Sequence, residues 1–385
     1  QEPFLLWNGK PQIMMRQRSN TSPILRLTRN LICIGIAAFL ILFTQNEQFC
    51  KKIIPTTNEQ LETYSDIKQI AARLEEEILS GSGSFSFYTT RLEPSQIQDI
   101  NSYIDPTFGS ANYQETTNNR LAPKTTIKIQ LKPAYYVYAA IMQHKAIPNN
   151  ETKAKRLYRV VKAVLKAKIK PSMTDYQKEL ALHDHLVKQC HYSTHSTSSD
   201  VYEAYGALVN HEAVCDGYAQ ALQLLFTCSG ITSKYIYGTA TDANGSMNHA
   251  WNLVKLGNDW YHLDATWDDP TPDRKGRILH TYFNVTDSYI KSSHHFNASY
   301  YPTMTATKMN FYVRSKQRFT SWKKYKKAAK KALLTDNRTM YEAYIGKHNV
   351  TMNDLQFLYS DRTSKQFLWN VIKESEGNVL VITQK

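Results

Sequence analysis

The stretch Glu212-Ala213-Val214-Cys215-Asp216-Gly217-Tyr218-Ala219-Gln220-Ala221 constrains this chain more than any other. Turn-forming Asn210 and His211 precede it, and a strongly apolar run follows. Tyr218, Ala221, Leu222 and Leu225 recur at helical spacing, with Ala219, Leu224 and Phe226 filling the flanks. A helix apolar on most of its circumference has to be covered on every side, so a buried central helix is expected. Cys215 stands where that helix begins and Gly230 where it should stop. A thiol at a helix N-terminus feels the positive end of the macrodipole, which favours the thiolate. Asp216 opposes this, so a second cation is needed nearby, and a histidine is expected. Without such a partner Cys215 reads as a buried structural thiol.

Met247-Asn248-His249-Ala250-Trp251-Asn252-Leu253-Val254 reads as a strand. After a Gly257-Asn258 turn, Trp260-Tyr261-His262-Leu263-Asp264-Ala265-Thr266-Trp267 reads as a second. A two-residue loop sets Leu256 opposite Asp259 and His249 opposite Thr266. Asp264 then lies on the same sheet face, diagonally beside His249. A one-residue slip would separate them. The hairpin thus brings a carboxylate to an imidazole.

The segments AVCDGYAQA, NHAWNLV and WYHLDATWDDP resemble the three signature blocks of the transglutaminase-like superfamily, in its order Cys, His, Asp. The likeness extends upstream over Thr174 to Asp184 and downstream over His280 to Asp287, so it spans roughly Met173 to Phe296 and is similar to the bacterial branch. The resemblance implies an α+β fold with a papain-like core: a cysteine-bearing helix packed on an antiparallel sheet that carries the His and the Asp. It implies Cys215 as nucleophile, His249 as base and Asp264 as the group orienting the base, with no cofactor. Tyr205 lies in a Tyr-Gly-Ala-Leu segment that recurs before the nucleophile in relatives, and is a candidate second oxyanion donor. Trp251 and Asn252 flank the base; lining the acyl site and packing the core fit Trp251 equally.

At 385 residues the chain exceeds one ordinary domain. We divide it into an N-terminal basic segment over 1–50, a small α/β region with a linking helix over 51–170, the catalytic domain over 171–300 and a basic α/β unit over 301–385. The first methionines are Met14 and Met15. After them come Arg16, Arg18, Arg26 and Arg29, no acid, and an apolar run from Leu31 to Phe43. This run is shorter than the ~20 residues of a full spanning helix, though it suits a signal peptide. No small-residue cleavage site follows, which favours a retained anchor over a cleaved signal. The positive-inside rule then sends the rest of the chain across the membrane, so an extracytoplasmic protein, anchored or secreted, is expected. Five cysteines without pairing spacing exclude a disulfide scaffold.

The remaining elements read as a helix over Asn58–Leu79, a strand over Ser84–Thr89, a short helix over Pro94–Ile104 and a long loop over 105–124. A strand over Thr125–Leu131 and a basic helix over Glu151–Ile169 follow. His183, His185, Cys190, His191 and His195 lack metal-ligand spacing, so no metal site is assigned. Asp268-Asp269-Pro270 reads as a turn capping its own backbone, and His294-His295 as residues closing the core. Arg314 to Lys331 carries nine lysines and arginines and no acid. Phe319, Trp322, Tyr325, Ala329 and Leu333 form one helical stripe there, which leaves a lysine face outside. With the aromatics turned inward, specific nucleic-acid binding is not expected. Anionic wall polymers are the polyanions such a face would meet. A helix over Asn353–Glu374 and a strand over Asn378–Thr383 end the chain.

The chemistry implied is attack of a thiolate on a peptide or carboxamide, a thioester, and release to water or to an amine. Hydrolysis is expected, since nothing visible shields a thioester from water. A cross-linking transglutaminase and a non-catalytic envelope module are the alternatives.

Overall fold

The structure is a computed structural model. It describes residues 61–384 apart from 90–91, 93, 118–123, 244, 270, 272–276, 337, 360–364 and 374–375. The Leu31–Phe43 run, and the expectations built on it, lie outside the described residues. Among those described, no helix is long and apolar enough to cross a membrane.

The chain opens with strand β1 (Thr63–Tyr64) and helix α1 (Ile67–Ser80). The Asp66 side chain accepts a hydrogen bond from the Lys68 N–H, and this cap starts α1 well after the expected Asn58. Gly81, at φ 89°, ends it in the left-handed region. Strands β2 (Ser84–Thr89), β3 (Gly109–Thr117) and β4 (Lys124–Leu131) complete a four-stranded sheet of order β1-β2-β4-β3, with helix α2 (Pro94–Gln98) leading from β2 to β3. β3 replaces the expected loop over 105–124. Its Asn- and Thr-rich sequence is a poor strand former, but pairing with β4 overrides that. Helix α3 (Pro133–Met142), with Pro133 in its first turn, was not anticipated, whereas α4 (Thr152–Lys168) falls where the sequence reads a basic helix; α5 (Asp175–Gln189) follows it.

Short strands β5 (His191–Tyr192) and β6 (Glu212–Ala213) pair in parallel, and β6 delivers the chain into helix α6 (Cys215–Ser229). Tyr218, Ala221, Leu222, Leu224, Leu225 and Phe226 are all buried, as a central helix requires. A five-stranded sheet lies against α6 in the order β10-β9-β8-β7-β11. It comprises β7 (Ser233–Asp242), β8 (Gly245–Leu256), β9 (Asp259–Leu263), β10 (Phe283–Val285) and β11 (His294–His295), and all its pairings are antiparallel. This is an α+β papain-like core. The Leu256–Asp259 pairing is the register set by the two-residue turn. The second strand stops at Leu263, however, so Asp264 to Trp267 form a turn instead of continuing it. One hydrophobic cluster runs from Tyr64 to Phe283 and joins the N-terminal sheet to this core.

After helices α7 (Asp287–Ile290) and α8 (Phe311–Arg314) comes the basic helix α9 (Trp322–Lys330). Ser321 caps it through the Lys324 N–H, so it begins at Trp322 and not at Arg314. Tyr325, Ala329 and Leu333 are buried, Phe319 and Trp322 pack partly against them, and Lys323, Lys324 and Lys327 are exposed. Strands β12 (Met340–Tyr344), β13 (Phe367–Lys373) and β14 (Asn378–Gln384) form a sheet of order β12-β14-β13 with its own core. The helix expected over Asn353–Glu374 is instead a short 3-10 turn, Asn353–Tyr359, followed by β13. Phe-Leu-Trp-Asn-Val-Ile is rich in aromatic and β-branched residues, and β14 offers it a full ladder.

Candidate active site

Cys215 is the first residue of α6 and is 8% exposed. The first N–H groups of a helix have no intrahelical acceptor, so they point outward beside the sulfur. The Cys215 thiol lies beside His249 and is one of the groups that raise its pKa. His249 Nε2 is 2.7 Å from Asp264 Oδ2, which leaves Nδ1 as the nitrogen for the thiol. The three residues singled out from the sequence are therefore brought together, in the register expected but without the strand continuing to Asp264. Asp264 reaches His249 from the turn beyond β9. Its Oδ1 accepts from the Thr266 N–H at 3.0 Å and the Trp267 N–H at 3.2 Å, and that local cap is what ends the strand.

Burial disfavours charge on both partners, but each supplies the other's counter-ion. Burial lowers the His249 pKa, yet the field and hydrogen bond of Asp264, aided by Cys215, more than reverse this and push it up to about 10. Burial likewise raises Asp264, and the charge and hydrogen bond of His249, with a second histidine, outweigh it and hold the carboxyl well below the usual range. That second histidine is His294, fully buried on β11, whose Nε2 lies 2.9 Å from the same Asp264 Oδ2. Burial, opposed by Asp264, lowers the His294 pKa. Its ring therefore donates as a neutral imidazole. His294 does not merely close the core. Nothing local in the sequence marks it, because the contact depends on β11 pairing with β7.

Trp251, 1% exposed, stacks on His249 with ring centroids 5.7 Å apart, and its indole N–H donates to His262 Nδ1 at 3.0 Å. It backs the imidazole from inside the core and does not line the cleft. Asn252 is also buried, and ties β8 to α6 through the Ala219 carbonyl at 3.0 Å. Tyr205 is buried with the Lys153 ammonium over its ring, and it is absent from the walls of the cleft. The cleft itself, about 1240 Å3, is lined by His249, Thr266, Trp267 and Tyr192 on one side and by Leu368, Asn370 and Thr383 of the C-terminal sheet on the other. Tyr192 was missed in the sequence. Burial, and after it the negative charge around Cys215 and Asp264, pushes its phenol up to about 12.

The acids after Asp264 reach beyond their own turn. Asp268 Oδ1 accepts the Tyr282 N–H at 2.8 Å and its Oδ2 lies 3.1 Å from His183 Nε2, while Asp269 Oδ2 accepts the Tyr218 hydroxyl at 2.6 Å. Both are buried and serve distant elements.

Residues 148–265 match the family model described as the transglutaminase-like superfamily core. No curated protein matches the chain. Among solved structures, a candidate cysteine protease from Cytophaga hutchinsonii aligns at 17% identity over 43% of this chain and 64% of that one, with a TM-score of 0.25. A transglutaminase aligns at 10% identity over 57% and 62%, TM-score 0.27. The periplasmic domain of TgpA from Pseudomonas aeruginosa aligns at 12% identity over 43% and 69%, TM-score 0.23. The chain thus spans less than two thirds of the first two, and superpositions this partial carry no functional weight. The segment 148–265, which holds Cys215, His249 and Asp264, is a domain of the transglutaminase-like superfamily.

Proposed function

We propose that the chain is a cysteine acyl-transfer enzyme that forms a thioester on Cys215 from a peptide or carboxamide and releases it to water. The observation that carries this reading is a single imidazole, His249, meeting the Cys215 thiol on one side and buried Asp264 on the other, at the wall of an open cleft. Asp264 holds the His249 tautomer and balances its charge, as the third member of a catalytic triad does. The sulfur attacks the carbonyl carbon, the C–N bond breaks, and the proton held by His249 goes to the departing amine. Neutral His249 then takes a proton from water as that water attacks the thioester. The free acid leaves and the thiol is restored. The oxyanion is met by the Cys215 N–H and by the Tyr192 hydroxyl, which fits this role better than Tyr205 because it lines the cleft.

Water is the acceptor in this reading because the cleft is broad and open. A primary amine in its place would make the same thioester a cross-link, and mainly amine adduct in excess amine would favour that alternative. The arginine-flanked apolar run supports an extracytoplasmic site of action, where the peptides of the cell envelope are the available acyl donors. The direct test is acylation by p-nitrophenyl acetate followed by mass spectrometry. A single acetyl group on Cys215, absent in Cys215→Ala and slowed at least a hundredfold in His249→Ala, is expected. Folded wild-type protein that takes up no acetyl on Cys215 would leave only the binding-module reading.

A further inference from the structure

A second group of histidines and carboxylates lies apart from Cys215, where α5, the loop before β10 and the C-terminal sheet meet. Asp184 Oδ1 sits 3.0 Å from His183 Nδ1 and 2.9 Å from His280 Nε2. The outer nitrogen of each ring also faces an acid. His183 Nε2 is 3.1 Å from Asp268 Oδ2, and His280 Nδ1 contacts Glu342 Oε1 closely. Those outer acids are themselves fixed, Asp268 by the Tyr282 N–H at 2.8 Å and Glu342 by the Tyr312 hydroxyl at 2.9 Å. His183 is fully buried and His280 is 6% exposed. Phe311 stacks on the His280 ring at 3.7 Å between centroids, which fixes its plane.

We propose that His183 Nδ1, Asp184 and His280 Nε2 bind one zinc ion. The three ligand atoms lie within 4.8 Å of one another. Zinc–ligand bonds of about 2.0–2.1 Å in a tetrahedron put ligand atoms roughly 3.3 Å apart, so the 3.0 and 2.9 Å from Asp184 to the two rings need open by only a few tenths of an ångström. Two imidazoles and a carboxylate form a set that zinc accepts readily. The outer acids supply the feature that distinguishes this cluster from an ordinary ion pair. Metal-binding histidines characteristically donate their far N–H to a carboxylate, which bares the inner nitrogen for the ion, and here both rings do so.

Proton counting agrees. For all four ring nitrogens to donate to carboxylates, both rings must carry two protons. One Zn2+ replacing the two protons that face Asp184 leaves the net charge unchanged and keeps both outer hydrogen bonds. The Asp184 side chain is 37% exposed, so the fourth position opens toward solvent and takes a water. Local spacing along the chain could not show this site, because His280 enters from a loop 96 residues beyond Asp184. The site is independent of the acyl-transfer reading.

The test uses the full chain without a histidine tag, with Cys215 carbamidomethylated so that its thiol cannot bind metal, stripped with a chelator and titrated with Zn2+ by calorimetry. One zinc per chain is expected, together with a rise in Tm. Asp184→Asn keeps the shape of a partly exposed side chain and should weaken binding at least tenfold with unchanged circular dichroism; His280→Gln is the second variant and should do the same. His294→Gln, which alters the histidine cluster around Asp264, should leave zinc binding unchanged. No stoichiometric uptake, uptake unchanged in both Asp184→Asn and His280→Gln, or uptake abolished in His294→Gln would overturn the proposal.

Discussion

Replacing Asp264 by Asn removes one charge at almost constant volume, and the structure dictates how the new amide must lie. Asp264 accepts on both oxygens: Oδ2 from His249 and His294, Oδ1 from the Thr266 and Trp267 N–H groups. An amide has only one oxygen. If that oxygen turned to the histidines, its NH2 would face two buried backbone donors, at about 1–3 kcal/mol for each group left unsatisfied. The favoured orientation keeps the oxygen on the backbone and points NH2 at His249 Nε2. That nitrogen must then accept, so the ring proton moves to Nδ1, and the neutral ring points a donor at the sulfur that it should deprotonate. The electrostatic change is as large. His249 stands at about 10 against an ordinary 6.5, and Asp264 provides most of what offsets burial. At 1.36 kcal/mol per pKa unit, this is about 5 kcal/mol between protonated and neutral ring. Losing the orienting carboxylate of a triad costs about 10^4-fold in rate in the worked case of the serine proteases, so a loss of 10^3- to 10^4-fold in Cys215 acylation is expected here. Ring 15N shifts should report an imidazolium for His249 at pH 8 in the wild type and a neutral ring in Asp264→Asn. A ring still charged at pH 8 in the variant, or a rate within tenfold of wild type, would refute this account.

Glu179 is fully buried beside Asn284, and burial, partly offset by the Asn284 hydrogen bond and His183, pushes its pKa up from 4.5 to about 8. Its contribution to stability is fully present below about pH 4.5 and is lost as pH rises through about 8, at up to 1.4 kcal/mol per unit; Glu179→Gln should flatten that part of the profile in urea titrations at pH 5 and pH 9, and parallel profiles would contradict it. Gly238 of β7 is closely covered: a Cβ there would collide with the His295 carbonyl oxygen and meet the Trp251 ring at 3.1 Å. Gly238→Ala should therefore push β11 outward, cost about 1–3 kcal/mol by overpacking and slow Cys215 acylation by drawing His294 off Asp264; unchanged Tm and rate would show that β11 yields freely. The wild type is expected to adhere to an anionic wall polymer, less so as salt is raised, and reversing Lys323, Lys324 and Lys327 of α9 to Glu should abolish that adhesion. Binding that withstands high salt would assign it to another surface.

What was legible in the sequence was local. Periodicity exposed the cysteine helix, a two-residue turn fixed the Leu256–Asp259 register, and stripe residues such as Tyr325 and Ala329 marked the inner face of α9. The misreadings have local causes too. Asp264 interrupts its strand because its own side chain caps the N–H groups of Thr266 and Trp267, which a pattern of apolar residues does not record. Residues 109–117 and 367–373 became strands because a partner strand was available, and availability is a tertiary fact. His294 and His280 are the extreme case. Each meets its carboxylate across 30 or more positions of sequence, so spacing gives no sign of either.

The loop after β9 explains why the position of Asp264 is so well defined. Within six residues it places three buried carboxylates, and each reaches a different element. Asp264 holds His249 of β8 and His294 of β11, Asp268 holds His183 of α5 and the Tyr282 N–H, and Asp269 holds the Tyr218 hydroxyl one turn into the cysteine helix. The Asp268 N–H also donates to the Asp264 carbonyl at 3.2 Å, closing the turn on itself. Sliding this loop would leave several acids unpaired in the interior at once, and each unpaired group carries a desolvation penalty of its own. The distance between the sulfur and its base is thus set by the base's carboxylate, which is in turn held by Asp269 to the helix that carries the sulfur. Asp268 extends the same restraint through His183, Asp184 and His280 to Glu342 on the C-terminal sheet, whose face supplies the far wall of the cleft. Cys215, His249 and the opposite wall are therefore positioned by one connected set of hydrogen bonds, most of them buried.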